Sequence, residues 1–138
     1  MIGTTGRASF ISLSGAMSVF ALLFLIEASQ ASLGLAQITP PITSTTGAGN
    51  LGTSVTQAGN TYNISGGTRP GNGTNLFHSF GQFSVPTNQI ANFLNETALP
   101  TSNILGRVTG GNPSNIFGTI QTTGFGSAHL FLMNPAGI

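Results

Sequence analysis

The stretch that decides the fold is residues 102–123, which contain SNILGRVTGG from Ser102 and SNIFGTIQTT from Ser114. An apolar residue, a glycine and a second apolar residue recur at alternate positions: Ile104, Gly106 and Val108 in the first copy, Ile116, Gly118 and Ile120 in the second. Because side chains alternate in an extended chain, each triplet lies on one face of a short strand. Such a strand buries too little surface alone, so we expect the two copies to stack on one another as in a solenoid.

The first 36 residues have the layout of a secretory signal peptide. Arg7 is an early positive charge, residues 19–26 are an apolar run, and small residues follow at Ala31 and Ala36. We predict cleavage after Ala36, with Ala31 as the second choice. The alternative is a membrane anchor, but a spanning helix needs roughly 20 apolar residues, and an acidic side chain interrupts this run early.

Residues 37–138, the predicted mature segment, carry very few ionisable side chains. They contain no Lys, Asp or Cys, and the ionisable residues are Arg69, His78, Glu96, Arg107 and His129. Asn, Thr, Ser and Gln must therefore keep the surface hydrated, and these residues favour turns. Without disulfides, stability has to come from backbone ladders and a stacked apolar interior. The near-neutral charge excludes a basic nucleic-acid footprint, so no nucleic-acid partner is expected.

The same scarcity argues against an enzyme. Glycoside hydrolysis commonly uses two carboxylates and calcium sites use several carboxylate oxygens, whereas Glu96 is the one carboxylate side chain after the signal. Neither His78 nor His129 has an acid or a second histidine within a few residues, so we interpret both as polar residues satisfied by backbone groups. Residues 47–52 match G-x-G-x-x-G but lack the strand, helix and acidic residue that a dinucleotide site needs. No catalytic residue, metal, cofactor or small-molecule substrate is predicted.

The other segments predict strands, loops and one short helical piece. Residues 75–86 alternate as a strand, with Gly81 at a bulge that changes the inward face. Residues 66–73 are rich in glycine and predict a loop. Residues 89–95 have three apolar side chains at helical spacing and predict one or two helical turns. Residues 110–113, Gly-Gly-Asn-Pro, predict the turn between the two repeated strands.

Four segments, in this order, resemble a known family. They read NLFHSFGQFSV at residues 75–85, ILGRVTGGNPSNI at 104–116, GTIQ at 118–121 and HLFLMNPAGI at 129–138. Together with the signal peptide, they resemble the N-terminal domain of filamentous haemagglutinin-like exoproteins, which are the secreted partners of two-partner secretion in Gram-negative bacteria. The GGNPSN variant resembles the cyanobacterial branch.

The resemblance implies an all-β fold, a right-handed parallel β-helix with N-terminal capping strands, that serves as a secretion domain and not as an enzyme. It implies two partners, the general export machinery and an outer-membrane barrel transporter with periplasmic recognition domains. The implied route leads through the periplasm to the cell surface or the medium, and the implied cargo is a surface adhesin or haemagglutinin-like protein. Because family domains continue for further helical turns, we expect residues 37–138 to be the N-terminal part of a truncated secretion domain.

The resemblance also implies two candidate motifs. The first corresponds to the family's N-P-N-G-I motif, with Ala136 in place of its second asparagine, and consists of Asn134, Pro135, Gly137 and Ile138. We expect it to serve either transporter recognition or a turn that the fold requires. The second predicts a structural turn and consists of Gly110, Gly111, Asn112, Pro113 and Asn115. The family's N-P-N-L motif, expected near residues 95–100, is absent.

Two other functions stay open on the sequence. The chain could begin a polysaccharide-active β-helix whose catalytic coils lie beyond Ile138, or a purely structural extracellular solenoid. Acidic pairs in a longer sequence would favour the first. A neighbouring gene for a barrel transporter would favour the secretion domain over the structural solenoid.

Overall fold

The structure, a computed structural model, describes residues Thr39–Ile138. This part of the chain contains eight β-strands. Within this part there is no α-helix, and a single 3₁₀ turn lies at Pro70–Asn72. The all-β prediction is therefore confirmed. The predicted signal peptide, residues 1–36, lies outside the described residues. The strands are β1 (Ile42–Ser44), β2 (Thr53–Ala58), β3 (Thr61–Gly66), β4 (Asn75–Phe83), β5 (Ile90–Leu94), β6 (Asn103–Val108), β7 (Thr119–Thr123) and β8 (His129–Met133).

The strands form two four-stranded sheets. Sheet A has the order β1, β4, β6, β8, and sheet B has the order β2, β3, β5, β7. From β3 onward the chain alternates between the sheets, and each strand from β5 to β8 pairs in parallel with the strand two before it. Asn75 pairs with Asn103 at a separation of 28 residues, and Asn63 pairs with Asn92 at 29 residues. One strand of each sheet and their connections therefore form a repeating unit, which we call a coil.

The two copies of the sequence repeat do not stack on one another, so that prediction is wrong. The first copy forms β6 in sheet A, whereas the second runs into β7 in sheet B. The turn between the copies carries the chain from one sheet to the other, and each strand finds its partner one full coil away. The shared inward face is confirmed for the first copy, since Ile104 and Val108 are buried in the core.

Residues 89–95 are extended, so the predicted helical turns are wrong. β5 lies between β3 and β7 and pairs in parallel with both. Ala91 and Phe93 point into the core at alternate positions, and both are fully buried. Pairing on both sides of the strand outweighs the helical spacing of its apolar residues, because tertiary context overrides a short local pattern.

The core lies between the two sheets and is rich in aromatic rings. Phe80 and Phe83 of β4 pack edge to face with ring centroids 4.9 Å apart. Phe83 stacks on Phe93 of the opposite sheet at a centroid distance of 6.2 Å. These rings fix the two sheets against each other, since aromatic pairs in these geometries add to the free energy gained by burial alone.

The bulge predicted at Gly81 is confirmed by the pairing of β1 with β4. Thr43 lies opposite Gln82, whereas the next residue, Ser44, lies opposite Phe80, so the register skips Gly81. An extra residue in one strand reverses the alternation of its side chains. Two phenylalanines three positions apart in β4 can therefore both point into the core.

The two ends of the stack of coils differ. At what we call the closed end, β1 and β2 pair antiparallel with β4 and β3. At what we call the open end, β8 and β7 are the outermost strands and pair in parallel with β6 and β5. The inward side chains of Ile42 and Tyr62 near the closed end are buried, whereas those of Leu130 and Leu132 near the open end are only partly covered.

Candidate functional site

The candidate recognition motif forms a tight turn directly after β8, which we call the 134–138 turn. Gly137 N donates a hydrogen bond to Asn134 O at 3.0 Å, and this bond closes the turn. Gly137 has a φ of 111°, an angle that side-chain-bearing residues rarely adopt. The Asn134 side chain supports the turn from within, because its Oδ1 accepts a hydrogen bond from Ala136 N at 2.9 Å.

The 134–138 turn contacts the second candidate motif, which follows β6 and which we call the 110–115 turn. Asn134 Nδ2 donates to Asn112 O at 3.0 Å and to Ser114 Oγ at 2.9 Å. Ser114 N in turn donates to Gly137 O at 3.0 Å. β6 and β8 are parallel neighbours, so the turns that follow them lie side by side. The structure thus brings the two motifs together.

The 110–115 turn is also held against the coil before it. Gly110 lies so close to Gly81 O that any side chain at this position would collide with that carbonyl. Asn115 N donates to Ser84 Oγ at 3.1 Å. By contrast, a side chain added at Gly111 would meet no atom within 4 Å. Gly110 and Asn115 therefore position the turn, while Gly111 and its exposed neighbour Asn112 leave the outer side accessible.

The geometry decides which groups of the 134–138 turn a partner can reach. Both the nitrogen and the oxygen of the Asn134 amide are hydrogen-bonded within the domain. Pro135, Ala136 and Ile138 are exposed. A partner would therefore meet these side chains and the backbone, and not the Asn134 amide. A shallow groove beside the turn is lined by residues that include Arg107, Gly110, Gly111, Pro135 and Ala136.

Ser114 is a residue of this site that the sequence reasoning missed. It is 3% exposed and makes hydrogen bonds to the 134–138 turn through both its side chain and its backbone. The signal was present in the sequence, because Ser114 is the first residue of the second repeat copy and matches Ser102 in the first. Ser102 O accepts a hydrogen bond from His129 N at 2.9 Å, so both serines join one coil to a later one.

His78, one of the two candidate histidines, is buried in the core. It is 1% exposed, and its ring lies 6.1 Å from that of Phe80 and 5.5 Å from that of Phe93. Its Nδ1 lies 3.3 Å from Thr53 Oγ1, and Nε2 has no hydrogen-bond partner within the described residues. A threonine hydroxyl, and not a backbone group, thus partners His78, so that interpretation is wrong. The pKa of His78 is lowered to about 4, mainly by burial and to a smaller extent by the positive charge of nearby Arg69.

The other candidate features lie apart from the two turns. His129 is exposed at the start of β8, and Glu96 is exposed in the connection between β5 and β6. Residues 47–52 form part of the connection between β1 and β2. In the described range 39–138, no three His, Cys, Asp or Glu side chains come together as a metal site. Over the same range, none of the helical segments has the length and apolarity to span a membrane.

Comparison with known proteins identifies the family. A search of curated proteins gives no match. The family model described as TPS secretion domain matches residues 36–138, a segment that contains all eight strands and both turns. This match agrees with the resemblance carried by the sequence motifs. Since it spans well over half of the chain, the chain belongs to the TPS secretion domain family, the secretion domains of two-partner secretion exoproteins.

Proposed function

We propose that this chain is the recognition and folding head of a two-partner secretion exoprotein. In this proposal the general export machinery delivers the chain to the periplasm, where an outer-membrane transporter recognises it and passes it through its barrel to the cell surface or the medium. There the domain starts the folding of a surface adhesin or haemagglutinin-like cargo. The observation that carries the folding role is the difference between the closed end and the open end of the stack.

The strand arrangement at the closed end favours folding of the first coil without a preceding coil as a template. β2 and β3 are a hairpin in which Thr53 pairs with Gly66 and Ala58 pairs with Thr61. A hairpin closes a short loop, so its contacts form at a small entropic cost. β1 covers part of the edge of β4 in the same antiparallel sense. Strands that reverse direction in this way cap a parallel stack and protect its edge from pairing with other chains.

The open end supports templated addition of further coils. β7 and β8 leave one backbone edge unpaired within the described residues, and Ile120, Leu130 and Leu132 face inward while only partly covered. A further coil with the same parallel register would complete the hydrogen bonds and cover these side chains. Stability in such a stack is gained coil by coil, because each coil contacts only its neighbours. Folding outside the membrane can therefore draw the chain outward.

The same arrangement supports the finer fold that we propose, a right-handed parallel β-helix with capping strands at its start. Parallel pairing of strands one coil apart, from β3 to β8, is the pattern expected of such a solenoid. The connection from β4 to β6 is a crossover between parallel strands of one sheet, and about 98% of such connections are right-handed.

The composition of the chain suits passage through a narrow barrel in an unfolded state. The whole sequence contains no cysteine, so no disulfide has to be opened or threaded. Only 4% of its residues are charged, so few ions lose their hydration in transit. These properties favour passage as an extended chain, followed by folding on the far side.

An export assay tests the proposed function. The protein that carries this chain is produced in cells with and without the outer-membrane transporter, and its amount in the medium and on the cell surface is measured. We expect export only when the transporter is present. A reporter fused to residues 1–36 alone is the control, and it should remain in the periplasm in both strains. Equal export of the exoprotein with and without the transporter would contradict the proposal.

A further inference from the structure

The connection between β3 and β4 contains an asparagine followed directly by a glycine, Asn72-Gly73, and this is the one such pair in the sequence. The backbone nitrogen after an asparagine can attack the carbonyl carbon of the asparagine side chain, Cγ. A glycine at this position favours the attack, because it leaves the nitrogen unhindered and the backbone free to rotate. Asn72 is exposed on the 3₁₀ turn, so water reaches it. The pair therefore has the chemistry of a deamidation site.

This reaction exchanges ammonia for water. Gly73 N loses its proton and forms a bond to Cγ of Asn72, the bond from Cγ to Nδ2 breaks, and ammonia leaves with that proton. Water then opens the resulting imide ring at either of its carbonyl carbons. One product is aspartate, and the other is isoaspartate, in which the backbone runs through Cβ and Cγ. The reaction takes up water and uses no enzyme, metal or oxidant.

The folded turn holds Gly73 N away from this reaction. Gly73 N donates a hydrogen bond to Pro70 O at 3.1 Å, and Asn72 N donates to Arg69 O at 3.2 Å. Asn72 has a φ of 54°, a left-handed conformation that belongs to the folded turn. To close the imide ring, Gly73 N would have to give up its bond to Pro70 and swing toward the Asn72 side chain. The reaction therefore waits for the turn to open.

Arg69 ties the turn to the following coil. Its Nη1 donates to Gly73 O at 3.5 Å and to Pro100 O at 3.3 Å. Its Nη2 donates to Thr101 Oγ1 at 2.6 Å. Pro100 and Thr101 lie in the connection between β5 and β6, which is the equivalent connection one coil later. Arg69 therefore has all of these partners only after β5 and β6 have folded onto β3 and β4.

We infer that Asn72 is a site of spontaneous deamidation, reactive in the unfolded chain and protected once β5 and β6 have folded onto the first coil. The reaction needs no transporter and goes beyond the proposed function. In a chain that stays unfolded before export, the extent of reaction at Asn72 records the length of that delay. Isoaspartate also lengthens the backbone of the turn, so the bond from Gly73 N to Pro70 O cannot form again in the same geometry.

Mass spectrometry of the purified chain, incubated folded or in urea at mildly alkaline pH, tests the inference. Conversion of Asn72 is followed by the gain in mass as an amide becomes a carboxylate, and by enzymatic methylation of isoaspartate. We expect conversion about tenfold faster or more in urea, because the folded turn opens only transiently. Asn112 and Asn134 are internal controls that should stay unchanged, since each precedes a proline, whose nitrogen has no proton to lose.

A Gly73→Ala variant tests the reactive pair itself. Gly73 has a φ of −75°, which alanine adopts without strain, and an added Cβ would lie 3.2 Å from Pro70 O, so a small shift accommodates it. The methyl group hinders the attacking nitrogen, and conversion of Asn72 in urea should slow about tenfold.

Two further variants test the contacts of Arg69. Arg69→Gln and Thr101→Ala should each speed conversion of Asn72 about threefold in the folded chain and leave the rate in urea unchanged, because they free the turn to open. The matched control is Arg107→Gln, which removes an exposed arginine of β6 outside this turn and should change neither rate.

Circular dichroism verifies that each variant is folded before urea is added. Equal conversion of Asn72 in the folded chain and in urea would overturn the protection by the turn. Absence of conversion in urea would overturn the site itself. Conversion at the wild-type rate in both folded variants, Arg69→Gln and Thr101→Ala, would overturn the role of the contact with the following coil. Each of these outcomes leaves the proposed function standing, because the reaction does not involve export.

Discussion

The closed end and the open end of the stack bury the same kinds of side chain to different extents. At the closed end the inward residues Ile42 and Ile64 are 2% and 0% exposed, under antiparallel strands that reverse the chain direction. At the open end the inward residues Leu130 and Leu132 have a neighbouring coil on one side and are only partly covered. Strand direction therefore distinguishes the two ends, because the antiparallel strands β1 and β2 end the pairing pattern that the parallel strands continue.

The first prediction compares two inward-facing aliphatic side chains, one at each end of the stack. Ile64→Ala at the closed end should lower the free energy of unfolding by about 4 kcal/mol, because it leaves a cavity among fully buried neighbours. Leu132→Ala at the open end should cost about 1 kcal/mol, since its side chain already contacts water. Urea denaturation measures both. Equal losses would mean that the two ends are covered alike.

The second prediction concerns pH and the contact between β2 and β4 at the closed end. The pKa of His78 is lowered to about 4 in the folded state, so the unfolded chain binds its proton first as the pH falls. The stability that neutral His78 contributes is complete above about pH 6.5 and is lost as the pH falls toward 4, with a total loss of about 3 kcal/mol. The midpoints of urea denaturation, measured at several pH values between 7 and 4, report this loss of stability. In a His78→Leu variant, most of the dependence of stability on pH should disappear. An unchanged pH dependence in that variant would show that other groups cause it.

The third prediction compares two glycines with positive φ angles. Gly66 at the closed end has a φ of 68°, and a side chain there would collide with Gly52 O, so Gly66→Ala should cost about 2 to 3 kcal/mol. Gly124 follows β7 at the open end with a φ of 80°, but its nearest neighbour, Asn95 Cβ, is 3.4 Å from an added Cβ. Gly124→Ala should therefore cost about 1 kcal/mol from backbone strain alone. Thermal unfolding of both variants tests the difference, and a larger loss at Gly124 would contradict it.

The fourth prediction concerns the hydrogen bonds of Asn134 in the 134–138 turn. Asn134→Ala removes three side-chain hydrogen bonds and should lower stability by about 1 kcal/mol. Asn112→Ala is the matched control, because Asn112 accepts a hydrogen bond from Asn134 through its backbone carbonyl, which the substitution keeps. This variant should lose no more than about 0.5 kcal/mol of stability. Urea denaturation compares them. Export of both variants at the wild-type level would place the role of Asn134 in the fold.

Local alternation of side chains was enough to predict several elements. The strand around Phe80, the bulge at Gly81 and the inward face of Ile104 and Val108 all follow from a period of two residues. The prediction of helical turns at residues 89–95 was wrong because it used only the helical spacing of Ile90, Phe93 and Leu94, whereas pairing with β3 and β7 holds this segment extended. The alternation of side chains predicts which face of a strand points into the core, but it does not predict which other strand pairs with it.

The architecture of the candidate site could not be predicted without the length of the coil, and the sequence repeat does not reveal that length. Twelve residues separate the two copies of the repeat, whereas parallel strands pair one full coil apart, Asn75 with Asn103 and Asn103 with His129, since the copies enter different sheets. The length of the coil sets Asn134 beside Ser114. The cyanobacterial assignment and the cleavage site after Ala36 stay predictions.

Native-state amide hydrogen exchange of the chain tests the difference between the two ends most directly. Paired amides exchange slowly where opening a strand exposes a large buried surface. We expect the amides of the β2–β3 hairpin to be protected almost as strongly as those of β4, and those of β7 and β8 to exchange at least tenfold faster. Protection of β7 and β8 equal to that of β4, or faster exchange in the hairpin than in β8, would contradict a stack with one closed end and one end open to templated growth.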